Sequence, residues 1–330
     1  MRIEAFSEGK NLDDPEANED QLLILPGRGY AVIDGVTDIT GRVYEGMRTG
    51  RLASTIVQRA AADFLTDPAE RACRPEALVA RASAALREAY ARHGLFDEVR
   101  ADPHLRFGAT LTLAADLGQS FRFMVIGDSG LRLNAAEVAV DDTALDLVTA
   151  ALRQQAYAIV AEAGGGLEAQ RQVSRVCSFY GASELHQEMK PWLDASRLAA
   201  LYARSRARCR ARFPGAPLSD IEHLLDHGVS GQARYQNNTS SPFSYAVLDG
   251  FDVPLALVRV FDRPRESLRS IELFTDGYFR PAATPDVAAW EASFAEVERI
   301  DPEKIDAYPS VKGTNGRIRT DDRTVVIVHL

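Results

Sequence analysis

Cysteine is scarce and badly placed for chemistry. The 330 residues hold three, Cys73, Cys177 and Cys209, far apart and without a Cys-x-x-Cys spacing. Neither a disulfide framework nor a zinc knuckle is suggested. No uninterrupted apolar run reaches bilayer-spanning length. The opening Met1-Arg2-Ile3-Glu4-Ala5-Phe6-Ser7-Glu8 carries acid but no apolar signal-peptide core, so a reducing cytoplasm and no membrane association are expected. Positive charge is in deficit, with a formal net charge of −9, which argues against nucleic acid as a partner. The triple glycine at 164–166 lacks a following lysine and a strand-to-helix context, so it does not read as a phosphate-cradling loop. No serine, cysteine or histidine motif for nucleophilic attack stands out. What remains is a composition with 46% hydrophobic and 26% charged residues, that of an ordinary globular chain with material for a sizeable core.

Aspartate is present in a telling arrangement. Four short cassettes carry one each: Asp20 in Asn18-Glu19-Asp20, Asp34 in Ala31-Val32-Ile33-Asp34-Gly35, Asp276 in Leu273-Phe274-Thr275-Asp276-Gly277, and Asp321 in Thr320-Asp321-Asp322-Arg323-Thr324-Val325-Val326. Three of the four stand where a strand-like run meets a turn, positions from which carboxylates of different strands can converge. An isolated aspartate is usually a turn former or helix cap. Crowded carboxylates repel one another unless a cation neutralises them, and hard divalent ions prefer oxygen ligands. The joint pattern therefore points to metal.

Along the chain, Gln21–Leu25 and Tyr30–Asp34 read as strands around the turn Pro26-Gly27-Arg28-Gly29, a hairpin that brings Asp20 and Asp34 to one sheet end. The opening stretch to about Asn18 reads as acidic and polar. Apolar residues at intervals of four (Leu52, Ile56, Ala60, Phe64) predict a helix over 50–65. A second helix opens at Pro75 and closes at Gly94. Strands are expected at 107–114, 121–126, 245–248, 255–261, 270–275 and 324–330, with helices at 144–163, 193–213 and 285–299. Hairpins, paired helices and a last strand returning to a sheet describe an α+β layered domain and not alternating βαβ units. Nothing splits the chain, so 1–330 is read as one domain with a helical insertion over about 142–235.

In order, the cassettes Asn-Glu-Asp, Asp-Gly, Gly-Ala-Thr (108–110), Gly-Asp-Ser (127–129), Thr-Asp-Gly and Asp-x-x-Thr-Val-Val resemble those of the metal-dependent type 2C (PPM) serine/threonine protein phosphatases of bacterial type. Two oxygen-liganded ions about 3.5–4 Å apart can hold a water as hydroxide and clamp a phosphoryl oxygen, so no covalent nucleophile is required. The resemblance implies a four-layer αββα sandwich of two mainly antiparallel sheets flanked by helices. It implies two Mn²⁺ or Mg²⁺ ions, with Asp34 on both, the Gly35 carbonyl on the second, Asp276 and Asp321 on the first, and Asp20 and more loosely Glu19 reaching the second through water. A weaker third ion falls to Asp128. The substrate implied is a phosphoserine or phosphothreonine protein. A phosphatase of small metabolites and an inactive phosphoprotein-binding module are the alternatives. Three departures stand out. No arginine lies in Asn11–Ala17, Lys10 being the nearest cation upstream; Val36 follows the Asp-Gly pair; and Asp322 stands where the family commonly has asparagine.

Other charged groups have ordinary readings. Asp38 and Asp322 are solvated loop carboxylates or partners behind the metal ligands. Asp220, His223 and His227 share a helical face but find no further ligand nearby, which favours a surface helix. The run Arg204, Arg206, Arg208, Arg210 and Arg212 reads as a solvated helix with salt bridges; recognition of a phosphorylated partner is the sharper alternative.

Overall fold

The computed structural model describes residues 1–37, 41–140 and 144–330. The chain divides into two compact units, Met1–Asp141 with Tyr245–Glu296 and Arg317–Leu330, and Asp142–Ser244 with Val297–Gly316.

In the first unit, β1 is Arg2–Glu8, β2 Gln21–Leu25 and β3 Gly29–Ile33, with a small ribbon of β4 (Val43–Tyr44) and β5 (Met47–Arg48). Helices α1 (Thr49–Thr66), α2 (Pro75–His93) and α3 (Phe96–Ala101) follow, then β6 (Leu111–Asp116), β7 (Ser120–Ile126), β8 (Gly130–Leu133) and β9 (Glu137–Ala139). The second unit supplies α4 (Ala144–Glu162), α5 (Leu167–Tyr180), α6 (Ala195–Arg212) and α7 (Leu218–His227). The chain closes with β10 (Arg259–Pro264), β11 (Ser270–Phe274), α8 (Val287–Ile300) and β12 (Arg323–His329).

Two five-stranded sheets form, in the orders β1-β12-β11-β8-β9 and β10-β7-β6-β3-β2, and every paired neighbour is antiparallel. Their inner faces meet through Tyr30, Val32, Phe121 and Phe123 from one sheet and Leu131, Ile271, Leu273, Val326 and Val328 from the other. Outside the second sheet, Ala31, Ile33, Leu111 and Leu113 pack on the apolar faces of α1 and α2, including Leu52, Ile56, Phe64, Leu78 and Leu86. Outside the first, Phe274, Val325 and Ile327 pack on Trp290 and Phe294 of α8. The order helix, sheet, sheet, helix is the αββα sandwich the resemblance implies. A sandwiched strand buries both faces, which is why β3, Gly29-Tyr30-Ala31-Val32-Ile33, is apolar throughout and does not alternate.

The hairpin of β2 and β3, α1, α2 and its Gly94 cap (φ +66°) lie where the sequence places them. Other elements differ. The strand expected over 255–261 begins only at Arg259 and runs to Pro264, after a 3-10 turn at Leu255–Leu257, and β8 and β9 are additional to the expected strands. The opening stretch is an edge strand, Arg2 to Glu8 paired along its length with His329 to Arg323. Tyr245–Leu248 is no strand; it makes isolated bridges only, among them Leu248 with Ala109. In the second unit, α4 packs against α5, α6 and α7.

Candidate active site

The register of the hairpin places Asp20. Gln21 pairs with Ile33, so the next step along both strands sets Asp20 opposite Asp34. Asp34 leaves β3 with its carbonyl accepting the Thr110 N–H at 2.8 Å. Gly35 follows because nothing larger fits: a Cβ there would fall on the Gly50 carbonyl and the Glu19 backbone. In the other sheet, Phe274 pairs with Val325 and Gly130. Continuing that register brings Asp276, the Asp321-Asp322 pair and the Asp128 turn to the same end as one another. Strands of two sheets thus deliver their aspartates to one edge of the sandwich.

Electrostatics show that these groups feel one another. The Asp34 carboxyl is raised well above the usual carboxylate range by burial first, then by the charges of Asp276, Asp20, Asp321 and Asp128. Asp20 is 3% exposed and is pushed up to about 7, mainly by burial and by Asp322, although hydrogen bonds from Thr275 and Thr324 act the other way. Thr275 Oγ1 donates to Asp20 Oδ2 at 2.7 Å and accepts the Thr324 N–H at 2.8 Å, so two adjacent strands of one sheet hold a side chain of the other. These two threonines lie inside the quoted cassettes, where their hydroxyls are the legible signal.

Asp322 is not the solvated loop carboxylate of the ordinary reading. It is 2% exposed, accepting the Lys10 N–H at 2.6 Å on Oδ1 and the Glu19 N–H at 3.2 Å on Oδ2. Lys10 itself enters the cluster. Its Nζ lies 2.7 Å from Glu19 Oε2, 3.3 Å from Asp321 Oδ1 and 3.2 Å from Asp322 Oδ2, and 2.9 Å from Thr37 Oγ1. Burial alone would lower its pKa; Asp321, Asp322 and Glu19 outweigh burial and raise it, keeping the amine charged. Asp38 lies outside the described residues.

The donor set fits a hard divalent ion in kind. It is oxygen throughout, and Glu19 Oε1 and Asp20 Oδ1 are buried with no hydrogen-bond partner among the described residues. Leaving such oxygens bare costs several kcal/mol per uncompensated charge, roughly, which an ion would offset. Among the described residues no three carboxylate, histidine or cysteine side chains are already drawn round a single point. A cleft of about 320 Å³ opens beside Asp20, lined by Asn18, Arg51 and Gln58 among others.

No family model matches the chain, and no curated protein does. Solved structures do. Bacterial serine/threonine phosphatases are among the solved structures it resembles. PstP/Ppp of Mycobacterium tuberculosis is 17% identical, with all of this chain and 98% of that one covered, at a TM-score of 0.46. The PstP catalytic domain solved with two manganese ions is 16% identical over 99% and 96%, at 0.43. Stp1 from Staphylococcus aureus is 10% identical over 100% and 95%, at 0.45. Identities and scores this low leave activity to be argued from the residues themselves.

In the second unit, Asp220 is buried and accepts from Ser241 Oγ at 2.6 Å, while His223 bonds the Gly231 carbonyl at 3.2 Å; both tie segments that follow α7 back to it. Arg204 pairs with Glu162 at 2.8 Å and Arg206 with Glu222 at 3.0 Å, as expected of a salt-bridged surface helix. No helix among the described residues is long and apolar enough to cross a membrane.

Proposed function

We propose that the chain is a metal-dependent phosphomonoester hydrolase acting on phosphoserine or phosphothreonine in proteins. The observation that carries this reading is the buried Asp34 carboxyl, raised by that burial first and then by the charges of four other aspartates drawn from both sheets. Asp34, Asp276 and Asp321 would hold one Mn²⁺ or Mg²⁺, and Asp34, the Gly35 carbonyl, Asp20 and Glu19 a second; Asp128 is the candidate for a third. Bound ions of this kind supply charge for the phosphoryl oxygens and an acidified water.

The chain's own residues do the rest. Thr275 and Thr324 fix the rotamer of Asp20. Gly35 lets the backbone approach the start of α1. Asp322 ties the segment before β12 to the backbone of Lys10 and Glu19, so the two groups of ligands are held in one frame. The same reading takes 1–330 as one phosphatase domain that carries 142–235 as a helical insertion.

Lys10 favours a second reading. An amine already seated among Glu19, Asp321 and Asp322 suits a phosphoprotein-binding module that does no chemistry. Hydrolysis of an aryl phosphate and of a phosphopeptide, titrated with Mn²⁺ and Mg²⁺, separates the two. Metal-dependent turnover that vanishes in Asp276→Asn supports the hydrolase. A folded protein that binds phosphopeptide and leaves it intact under every metal overturns it.

A further inference from the structure

We propose that Lys10 is a built-in counter-cation of the acidic centre: its ammonium holds the Glu19 and Asp321 oxygens that a divalent ion would take, so that ion binding expels a lysine. This rests on the metal reading above and goes beyond it, because it concerns what the chain does in the ion's absence and how tightly the ion is then bound.

The ammonium has the surroundings of a coordinated cation. Four oxygens from four residues surround Nζ at 2.7–3.3 Å, one more than its three N–H groups can satisfy singly. The position is built. The Lys10 N–H is fixed to Asp322 Oδ1 at 2.6 Å, and its carbonyl accepts the Arg319 N–H at 2.8 Å. The backbone is therefore clamped on both sides by the segment that carries Asp321. Two of the charges it meets, Glu19 and Asp322, are each 2% exposed. Carboxylates so buried cannot rely on water for compensation.

The compensation is also incomplete. Lys10 takes Glu19 Oε2, where Thr37 Oγ1 also donates at 2.8 Å, and leaves Glu19 Oε1 and Asp20 Oδ1 buried without a hydrogen-bond partner among the described residues. One positive charge in a site of several carboxylates stabilises the ion-free fold while leaving room for more charge. An arriving dication must displace it, since like charges at this range repel. Lys10 thereby trades metal affinity for stability without metal.

The test is calorimetric titration of the full chain with Mn²⁺, and thermal unfolding in chelator, for wild type and Lys10→Met. The expected variant binds Mn²⁺ at least about tenfold tighter, melts lower in chelator and regains the wild-type melting temperature with Mn²⁺. Equal affinity overturns the proposal, whatever the melting temperatures in chelator. Weaker Mn²⁺ binding by the variant overturns it too, since Lys10 would then be ordering ligands and not competing with the ion. Should Lys10→Met not fold, acetylation of the wild-type amine decides: Mn²⁺ should raise labelling of Lys10 several-fold, and unchanged or reduced labelling overturns the idea. If neither protein takes up Mn²⁺, the metal reading fails and this inference with it. Equal binding by both removes this inference alone.

Discussion

Asp20 stands opposite Asp34 across the β2–β3 hairpin, one step past the Gln21–Ile33 pair, and its charge is among those that raise the Asp34 carboxyl. Burial and the Asp322 charge push Asp20 up to about 7, whereas an unfolded aspartate titrates near about 4. Between those values the folded, ion-free protein binds more protons than the unfolded chain. Its stability from this group is therefore greatest at the acidic side and is lost as pH rises through the window, levelling off above about 7. In chelator, wild type should lose about 2–4 kcal/mol relative to Asp20→Asn between pH 5 and 7.5. Paired denaturant titrations at pH steps check this; a wild-type curve parallel to that of the variant would refute it. Saturating Mn²⁺ should abolish the difference in slope.

The hydrolase reading makes a sharper demand on Asp34 and Asp276. They leave strands of different sheets, and Asp276 is exposed at the mouth of the cluster, so neither holds the core together. Asp34→Asn and Asp276→Asn should each lower metal-dependent kcat/KM by about 10²–10³ or more while far-UV circular dichroism is unchanged. Either variant turning over at the wild-type rate would remove the assignment.

Gly35 tests the backbone beneath the site. A methyl group there meets the carbonyl of Gly50 and the backbone of Glu19, neither of which is the flexible end of a side chain. Gly35→Ala should destabilise the fold by about 1–3 kcal/mol and weaken Mn²⁺ binding, because the strain falls on Glu19 and on the start of α1. Gly27→Ala is the control. It sits at φ +75° in the hairpin turn with open space around it, so it should cost stability without altering metal affinity. Equal loss of metal affinity in both variants would show that the effect is general.

What could be read from the chain follows from how local each signal is. The hairpin carrying Asp20 and Asp34 was legible because Pro26-Gly27-Arg28-Gly29 is turn chemistry between two apolar runs. The edge strand β1 was not. Its partner is β12, more than three hundred residues away, and its acidic residues resemble those of a loop. Tyr245–Leu248 is apolar enough for a strand, yet its backbone makes isolated bridges only, that of Leu248 to Ala109 among them, before Asp249-Gly250 turns the chain. Asp322 and Lys10 could be named but not placed, for a related reason. A lysine in a polar stretch and an aspartate after an aspartate carry no pattern of their own. Their burial appears only when the segment before β12 folds back onto Gly9–Glu19. Asp20, Asp34, Asp276 and Asp321 could be brought together from sequence, whereas their counter-charge could not.

The last prediction concerns the face of the first sheet that packs on α8. Arg132 on β8 and Glu272 on β11 face each other at paired positions and form an ion pair at 4% and 0% side-chain exposure. Arg132 also donates to the Ala282 carbonyl, and Trp290 Nε1 donates to Glu272 Oε2 at 2.9 Å, so the pair is fully engaged. Breaking one member strands a charge with no water to receive it. Arg132→Met should cost about 3–5 kcal/mol, whereas replacing both charges with apolar residues of similar volume should cost far less. Denaturant unfolding of Arg132→Met, Glu272→Leu and the double variant checks this. If the double variant loses the sum of the two single losses, the residues act independently and the pair is no unit. A large favourable coupling establishes that the pair orders the sheet under α8, and since β11 runs directly into Asp276, loss of that order should also appear as weakened Mn²⁺ binding in Arg132→Met.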